Sequence, residues 1–252
     1  MCVVDRDRTI VNAVAKKTAE HEGHPDHRAL AGGSARAGVF GFSDGLVSNV
    51  SLIIGFAAGG VDSSVVRLAG IAAAVAGAAS MAAGEWISIS AQNELVVREI
   101  ALELRELKLH PEAETSELAA MYRQHGMSKE QAAISAKEVM QNPERAVMVH
   151  AREEFGLDPD HLPNPIQIGV ISLVAFLSGA MLPVIPWLFT GGNNARFGSV
   201  AIAIVAAATA GAAIGQQAER SKVTSAVRQV SIMLLAVGIT YLIGRLVGTT
   251  IN

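Results

Sequence analysis

Residues 38–60 read GVFGFSDGLVSNVSLIIGFAAGG, an apolar stretch with one acidic residue, Asp44, near its first turns. Its length matches the ~20 apolar residues that an α-helix needs to cross a hydrocarbon core of about 30 Å. A charged side chain at the centre of such a helix costs about 2.5–3.5 kcal/mol on insertion scales, so it is seldom there without a role. The stretch therefore predicts a membrane-spanning helix that carries a functional carboxylate.

The rest of the chain repeats this apolar pattern four times. Half of the 252 residues are hydrophobic and 17% are charged, against about 25% charged residues in soluble domains. The sequence predicts an all-α polytopic membrane protein with spans at about 37–59, 66–90, 166–189, 197–218 and 226–248. The domains expected are a tail (1–36), spans one and two (37–91), a polar helical domain (92–165) and spans three to five (166–252).

Charge and cysteine content exclude several other classes. The net charge of −3 gives no indication of a nucleic-acid partner. The single cysteine, Cys2, excludes an intrachain disulfide and a cysteine-based zinc site. The tail contains His21, His24 and His27, which could gather metal, although a disordered tail without function is the favoured interpretation.

The distribution of Lys and Arg predicts the orientation. Six of these residues precede residue 37, eight lie in the segment 92–165, and three lie in the connection 219–228. The other two connections carry only Arg67 and Arg196. We therefore expect the N-terminus and residues 92–165 to be cytoplasmic and the C-terminus to be outside. A bacterial inner membrane is the expected location, and a eukaryotic vacuolar membrane would have the same orientation relative to the cytosol.

Small residues indicate close helix contacts. They include Gly41, Gly45, Gly55 and Gly59 in the first span and the run AGIAAAVAGAASMAAG (69–84) in the second. These contacts could lie within one chain or between two copies. Because five is an odd number of spans, one chain cannot form an inverted repeat, which makes a pathway between two copies attractive.

Polar groups in the first two spans predict a metal pathway. The candidates are Asp44 and Asn49 in the first span and Met81 and Glu85 in the second. A carboxylate, an amide and a thioether together suit a borderline divalent ion such as Fe²⁺ better than Mg²⁺ or Ca²⁺. The alternatives are that Met81 fills the core, that Glu85 reaches the headgroups, and that Asp44 makes a structural hydrogen bond to a neighbouring helix.

The polar segment between spans two and three predicts helices with acidic faces. We expect the first to continue from span two to about Leu109, the second to cover about 112–124, and a third region, about 128–155, to break near Asn142-Pro143. Helical spacing groups the candidate ligands Glu99, Glu103 and Glu106, then Glu114 and Glu117, and then His150 and Glu154, with Met148 nearby. The two interpretations are a solvated acidic face and a carboxylate-rich metal site.

The blocks GFSDGLVSNVSLIIG (41–55), SMAAGEWISISAQNE (80–94) and HAREEFGLDP (150–159), with the Glu-rich helix pair, resemble the vacuolar iron transporter family. The resemblance runs from about residue 28 to the C-terminus. It implies a homodimer with five spans per chain that exports Fe²⁺ from the cytosol in exchange for protons, with Mn²⁺, Zn²⁺ or Co²⁺ as further ions. Membrane lipid, metal ions and protons are then the other partners.

The resemblance also assigns roles to residues. The family's pathway Asp and Met match Asp44 and Met81, contributed by both copies. Its cytoplasmic metal-binding glutamates match Glu103, Glu106, Glu114, Glu117 and Glu154. The family often has Met at the position of His150, and Met148 lies close to it here. The ligand set at this point therefore departs from that of the family.

Two other functions remain as alternatives to a secondary active transporter. A membrane-bound metal sensor or scaffold would use the acidic helices without flux, but it has no need of Asp44 and Met81. A ferroxidase would be an enzyme built on the glutamate helices. The paired Glu-x-x-His motifs of di-iron bundles are missing from the sequence, which argues against that enzyme.

Overall fold

The computed structural model describes residues 33–155 and 162–251, and the backbone of these residues is helical apart from turns and short connections. His21, His24 and His27 lie outside the described residues, as does the end of the HAREEFGLDP block. The described residues form two compact units. We call them the apolar unit (residues 33–88 and 164–251) and the polar unit (residues 89–155 and 162–163).

Nine α-helices can be numbered in the part of the chain that the structure describes. They are α1 (Gly33–Ala58), α2 (Ser63–Leu109), α3 (Pro111–Gln124), α4 (Lys129–Met140), α5 (Pro143–Phe155), α6 (Pro165–Met181), α7 (Ile185–Phe189), α8 (Gly192–Gln217) and α9 (Lys222–Ile251).

Five helical segments are long and apolar enough to cross a membrane, which confirms the number of spans that the hydropathy predicts. Every predicted span overlaps one of these segments, and most of the helices begin about one turn earlier than expected. Helix α2 has 47 residues, whereas about 20 suffice for the hydrocarbon core. Its apolar part covers the predicted span 66–90, and its charged remainder continues to Leu109 as predicted.

The third span is interrupted near its end. Helix α6 stops at Met181, a 3₁₀ turn covers Leu182–Val184, and the short helix α7 follows. Pro183 and Pro186 lack the N–H groups that would continue the helical hydrogen bonds, which explains the change of geometry. The Ser199 hydroxyl donates to the carbonyl of Pro183 (2.6 Å) and accepts from the Trp187 indole (2.9 Å), so α8 satisfies the polar groups at this interruption.

Helix α1 lies at the centre of the apolar unit, where it packs against α6, α8 and α9. Leu46, Val50 and Ile54 recur every four residues and therefore share one face of α1. This face is buried in a cluster with alanines of α8 and with Met233 and Val237 of α9. The repeat of large apolar residues on α1 thus meets small residues on α8, which allows close packing.

Glycines bring α1 close to α6 and α9 within one chain. A Cβ atom at Gly41 would lie 3.1 Å from the Ser172 carbonyl of α6, and one at Gly45 would overlap the Phe176 carbonyl. Gly59, directly after the end of α1, faces Gly248 of α9, and a Cβ atom at Gly248 would lie 2.5 Å from the Gly59 oxygen. The sequence left open whether small residues contact helices of the same chain or of a second copy. These glycines contact helices of the same chain.

Part of the small-residue run on α2 has no such contact in the described chain. Ala72, Ala76, Ser80 and Gly84 recur every four residues and are exposed. A Cβ atom at Gly84 would meet nothing within 4 Å. By contrast, Gly77 packs against the Phe176 ring. Helix α2 therefore has one face packed in the apolar unit and one face of small residues left open.

The polar unit consists of the end of α2 and helices α3, α4 and α5. Pro111 starts α3, and Ser128 and Gln131 form a reciprocal capping box at the start of α4. The predicted break at Asn142-Pro143 separates α4 from α5, and the Asn142 side chain accepts from the backbone N–H of residues 144 and 145. Leu118, Ala136, Val139 and Ala146 form the small core that holds these helices together.

Candidate metal-binding site

Asp44 of α1 is partly buried in the apolar unit. Its carboxylate accepts a hydrogen bond from the Ser48 hydroxyl (2.8 Å), one turn later on the same helix. This bond stays within α1. The structural alternative requires a hydrogen bond from Asp44 to a neighbouring helix, which this bond is not. The carboxylate therefore keeps further acceptor positions, because an ionised Asp can accept about four hydrogen bonds.

Asn49 connects three helices. Its side chain is 2% exposed, and its amide nitrogen donates to the carbonyls of Gly70 on α2 (3.1 Å) and Ala180 on α6 (2.6 Å). The amide oxygen is buried without a hydrogen-bond partner among the described residues. The donor side of this predicted ligand thus serves packing, and only its oxygen is available to a ligand.

Met81 and Glu85 lie one turn apart on α2, and both are partly buried. Met81 packs against a cluster formed by Ala74, Ala78, Phe176 and Ala180. Neither Asp44 nor Glu85 belongs to a close group of three His, Cys, Asp or Glu residues within the described part of the chain. One copy contributes a single Asp44 and a single Met81 to the predicted pathway.

The polar unit does assemble such a group. Glu103 of α2, Glu114 of α3 and His150 of α5 are all buried. Nδ1 of His150 lies 3.0 Å from Oε1 of Glu103 and 3.7 Å from Oε2 of Glu114. We refer to these three residues as the buried cluster. Glu154, one turn after His150 on α5, offers a carboxylate oxygen within 4.8 Å of ligand atoms of Glu103 and His150.

Several polar atoms of the buried cluster lack hydrogen bonds. The His150–Glu103 approach is short, but its angles are not those of a hydrogen bond. Oε1 of Glu103 and both ring nitrogens of His150 are therefore buried without a hydrogen-bond partner in the described structure. Leaving a polar group buried and unpaired costs about 1–3 kcal/mol. A cation held between these atoms would remove that cost.

Electrostatics in the buried cluster favour a neutral state when no cation is bound. Burial, as the largest cause, and the charges of four nearby carboxylates, those of Glu114, Glu154, Glu106 and Glu117, together raise the pKa of Glu103 to about 7. Burial lowers the pKa of His150, against the opposing influence of Glu117. The imidazole is therefore neutral at pH 7, which is the form that binds metals.

The outer carboxylates surround this buried cluster. Glu106, Glu117 and Glu154 are exposed. Burial raises the pKa of Glu154, and the charges of Glu117, Glu114 and Glu106 add to the shift. Burial likewise raises the pKa of Glu114, and Glu117 and Glu106 contribute further. The acidic residues of the three helices thus shift one another's pKa values and share one region of negative potential.

Two sequence candidates lie further from the buried cluster. Glu99 is partly buried one turn before Glu103, but it belongs neither to the close group nor to the groups that shift its pKa values. Met148 is two residues before His150, which places it about 200° around the α5 axis, on the opposite face. His110 was not a candidate, yet it lowers the pKa of Glu114. The sequence signal that could have found it is its position directly before Pro111, at the start of the helix that carries Glu114.

Comparisons with known proteins show which family the chain resembles. The model of the VIT family matches residues 35–245. "Vacuolar iron transporter 1" of Oryza sativa subsp. japonica is 27% identical over 239 residues, which are 94% of this chain and 95% of that protein. "Vacuolar iron transporter" of Centaurea cyanus is 26% identical over 84% of this chain and 87% of that protein. "Vacuolar iron transporter" of Acanthamoeba castellanii is 31% identical over 63% of this chain and 58% of that protein. All three relatives are named as transporters, not as enzymes.

Proposed function

The chain belongs to the VIT family, and from this premise we propose that it moves divalent metal, chiefly Fe²⁺, out of the cytosol in exchange for protons. The observation that carries the proposal is the buried cluster, in which carboxylates and a neutral imidazole have unpaired atoms directed at one another. Such a mixed oxygen and nitrogen donor set suits Fe²⁺ and neighbouring transition metals. The names of the relatives support iron as the cargo.

The polar unit is the capture site in this proposal, and it faces the cytosol. The positive-inside rule supports this orientation, because the segment 92–165 carries eight Lys and Arg residues. The exposed carboxylates Glu106, Glu117 and Glu154 attract the cation, and Glu103, Glu114 and His150 bind it. Protons leave Glu103 as the metal arrives, because its raised pKa keeps it partly protonated near pH 7.

The membrane path runs between two copies of the chain. A pathway of Asp44 and Met81 from both copies gathers two carboxylates and two thioethers, which one copy alone does not supply. The open face of small residues on α2 supports this arrangement, since such faces allow close helix contact. The bacterial inner membrane and the vacuolar membrane both fit this direction of transport.

The test is Fe²⁺ uptake into proteoliposomes with and without an imposed pH gradient. We expect uptake by the unaltered protein to need the gradient, and Asp44→Asn to abolish uptake while the protein stays folded. Asp62→Asn is the matched control, because Asp62 is an exposed acid in the connection before α2. Full uptake by Asp44→Asn would contradict the proposed path, and uptake that ignores the gradient would contradict proton coupling.

A metal sensor without flux is the second candidate. It is favoured by one observation: among the described residues, the close group of His and Glu ligands lies in the polar unit. Under this alternative the polar unit binds metal and Fe²⁺ does not enter the vesicles under any gradient. The same uptake experiment therefore separates the two functions, provided that metal binding is measured on the same preparation.

A further inference from the structure

His150 occupies an unusual position for a histidine. It is 0% exposed, whereas His125, which pairs with Glu153 at 3.3 Å, has a side chain that is 64% exposed. Within the described residues, it is the one histidine that is buried. An apolar side chain of similar size would fill the same space at lower cost, because a buried imidazole must be desolvated. The burial of a polar ring at this place therefore needs an energetic reason.

A hydrogen bond to Glu103 would be the simplest reason, but the angles between the two groups are not those of a hydrogen bond, and such a bond would involve only one ring nitrogen. Nδ1 lies near Glu103 and Glu114, and Nε2 is equally buried and equally without a partner in the described structure. The carboxylates of Glu103 and Glu154 offer oxygens within 4.8 Å of a ligand atom of the imidazole. Two atoms bound to one cation lie at most about 4.4 Å apart, since bonds to nitrogen and oxygen are about 2.0–2.2 Å long. The spacing of these three ligand atoms is therefore close to that of atoms that share one ion.

An imidazole donor changes which cation such a site prefers. Carboxylate oxygens alone suit Mg²⁺, Ca²⁺ and Mn²⁺, whereas imidazole nitrogen suits Zn²⁺, Fe²⁺, Cu²⁺ and Ni²⁺. Affinity for one N/O site also rises from Mn²⁺ through Fe²⁺ to Co²⁺. We propose that the His150 imidazole is a direct metal ligand that makes the buried cluster select Zn²⁺, Co²⁺ and Fe²⁺ over Mn²⁺ and Mg²⁺. This inference rests on the proposed function, because it takes the buried cluster as the capture site.

The experiment is a competition between Zn²⁺ and Mn²⁺ on the full-length protein in detergent. All proteins carry Asp44→Asn, so that the candidate intramembrane ligand does not contribute. Bound Mn²⁺ is followed by the loss of its aqueous EPR signal while Zn²⁺ is added. The variants are His150→Gln, the matched control His125→Gln, and Glu103→Gln.

We expect His150→Gln to raise the Zn²⁺ concentration that displaces half of the Mn²⁺ by about tenfold or more, and to change the Mn²⁺ affinity itself by less than about threefold. His125→Gln should behave like the parent protein. An unchanged Zn²⁺/Mn²⁺ ratio in His150→Gln would overturn the selectivity that we assign to the imidazole. Metal binding that survives intact in Glu103→Gln would instead remove the buried cluster from the proposed function.

A second measurement needs no variant at His150, which matters because a buried position can fail to fold when changed. Pulsed EPR of bound Mn²⁺ detects nitrogen that is directly coordinated to the metal. We expect a histidine nitrogen coupling in the parent protein and in His125→Gln. A spectrum with oxygen ligands only, in a protein whose Mn²⁺ binding depends on Glu103, would show that His150 is a packing residue.

Discussion

Glu103 and His150 are buried beside each other, and their ionisation links stability to pH. The pKa of Glu103 rises from its usual 4.5 to about 7, so the folded protein retains a proton that the unfolded chain releases between those values. Its contribution to stability is fully present below pH 4.5 and is lost as the pH rises through 7. The lowered pKa of His150 acts in the opposite direction, below its usual value of 6.5.

The pH range above 6.5 therefore separates the carboxylates from His150. For the metal-free protein we expect ionisation of Glu103 to lower the free energy of local opening of α3 and α5 by about 0.8 kcal/mol between pH 6.5 and pH 8. Hydrogen exchange of the full-length protein in detergent, corrected for the intrinsic effect of pH, measures this change. Glu103→Gln should flatten the dependence and Glu112→Gln, at an exposed position on α3, should not. An equal slope in Glu103→Gln would show that other groups carry the pH dependence.

The candidate ligands show what sequence can provide at the scale of residues. Spacing of three and four places Glu103 with Glu106, and His150 with Glu154, on the same helix faces, so these residues could be named in advance. Spacing does not say which faces of α2, α3 and α5 meet. His150 is buried because the faces of α2, α3 and α5 pack together around it. The sequence of α5 alone is that of an ordinary polar helix, so it does not predict this burial.

At the scale of elements, the crossing of α1 and α9 depends on a pair of glycine motifs. Gly55 in α1 and Gly59 directly after it face Gly244 and Gly248 of α9, and the two glycines of each motif are four residues apart. A Cβ atom at Gly244 would overlap the carbonyl of Gly55. Backbones that approach this closely gain van der Waals contact, which matters in lipid because apolar burial between helices contributes little there.

Gly244→Ala should therefore destabilise the protein. Overpacking of this kind costs about 1–3 kcal/mol, and the gain in helix propensity from Gly to Ala is only about 0.5–1 kcal/mol. Gly238→Ala is the matched control on the same helix, because a Cβ atom there meets nothing within 4 Å. We expect a lower midpoint of thermal unfolding in detergent for the first variant and no decrease for the second. Equal midpoints would mean that α9 can shift without loss.

The elements themselves were largely predictable, since hydropathy and proline are local signals. The five spans, the extension of α2 to Leu109 and the break at Asn142-Pro143 are all confirmed. The interruption of the third span was missed, although Pro183 and Pro186 were visible. A proline in a membrane helix has no fixed outcome, because side chains such as Ser199 decide whether the freed carbonyls find partners.

At the scale of the whole molecule, the open face of α2 leads to a prediction about assembly. Ala76→Leu places a large side chain in the middle of the four exposed small residues. If the proposed dimer forms through this face, the variant should be a monomer in light scattering after size exclusion, since a bulky residue prevents close approach of two helices. Ser231→Leu, on the exposed side of α9, is the control and should leave the dimer intact.

An unchanged dimer in Ala76→Leu would move the interface away from this face. The pairing of spans, within or between copies, could not be derived from the sequence. All five spans are apolar around most of their circumference, so their hydropathy does not distinguish a lipid-facing side from a helix-facing side. Glycines show where two helices can approach closely, but a glycine allows close approach to a helix of the same copy and of another copy equally well.

The crossing of α1 and α9 also has a consequence for synthesis, because α1 is made long before the helix that it packs against. Gly55 enters the membrane early, but its partner Gly244 comes near the end of the described chain. At about 5–20 residues per second, the ~190 residues between them take roughly 10–40 s to translate. During that interval the face of α1 that carries Gly55 can contact only lipid or a helix that is not its final partner. Newly made chains are thus most likely to mispair before their last helix is translated. A chain that ends before α9 would leave the glycine face of α1 at Gly55 without its partner.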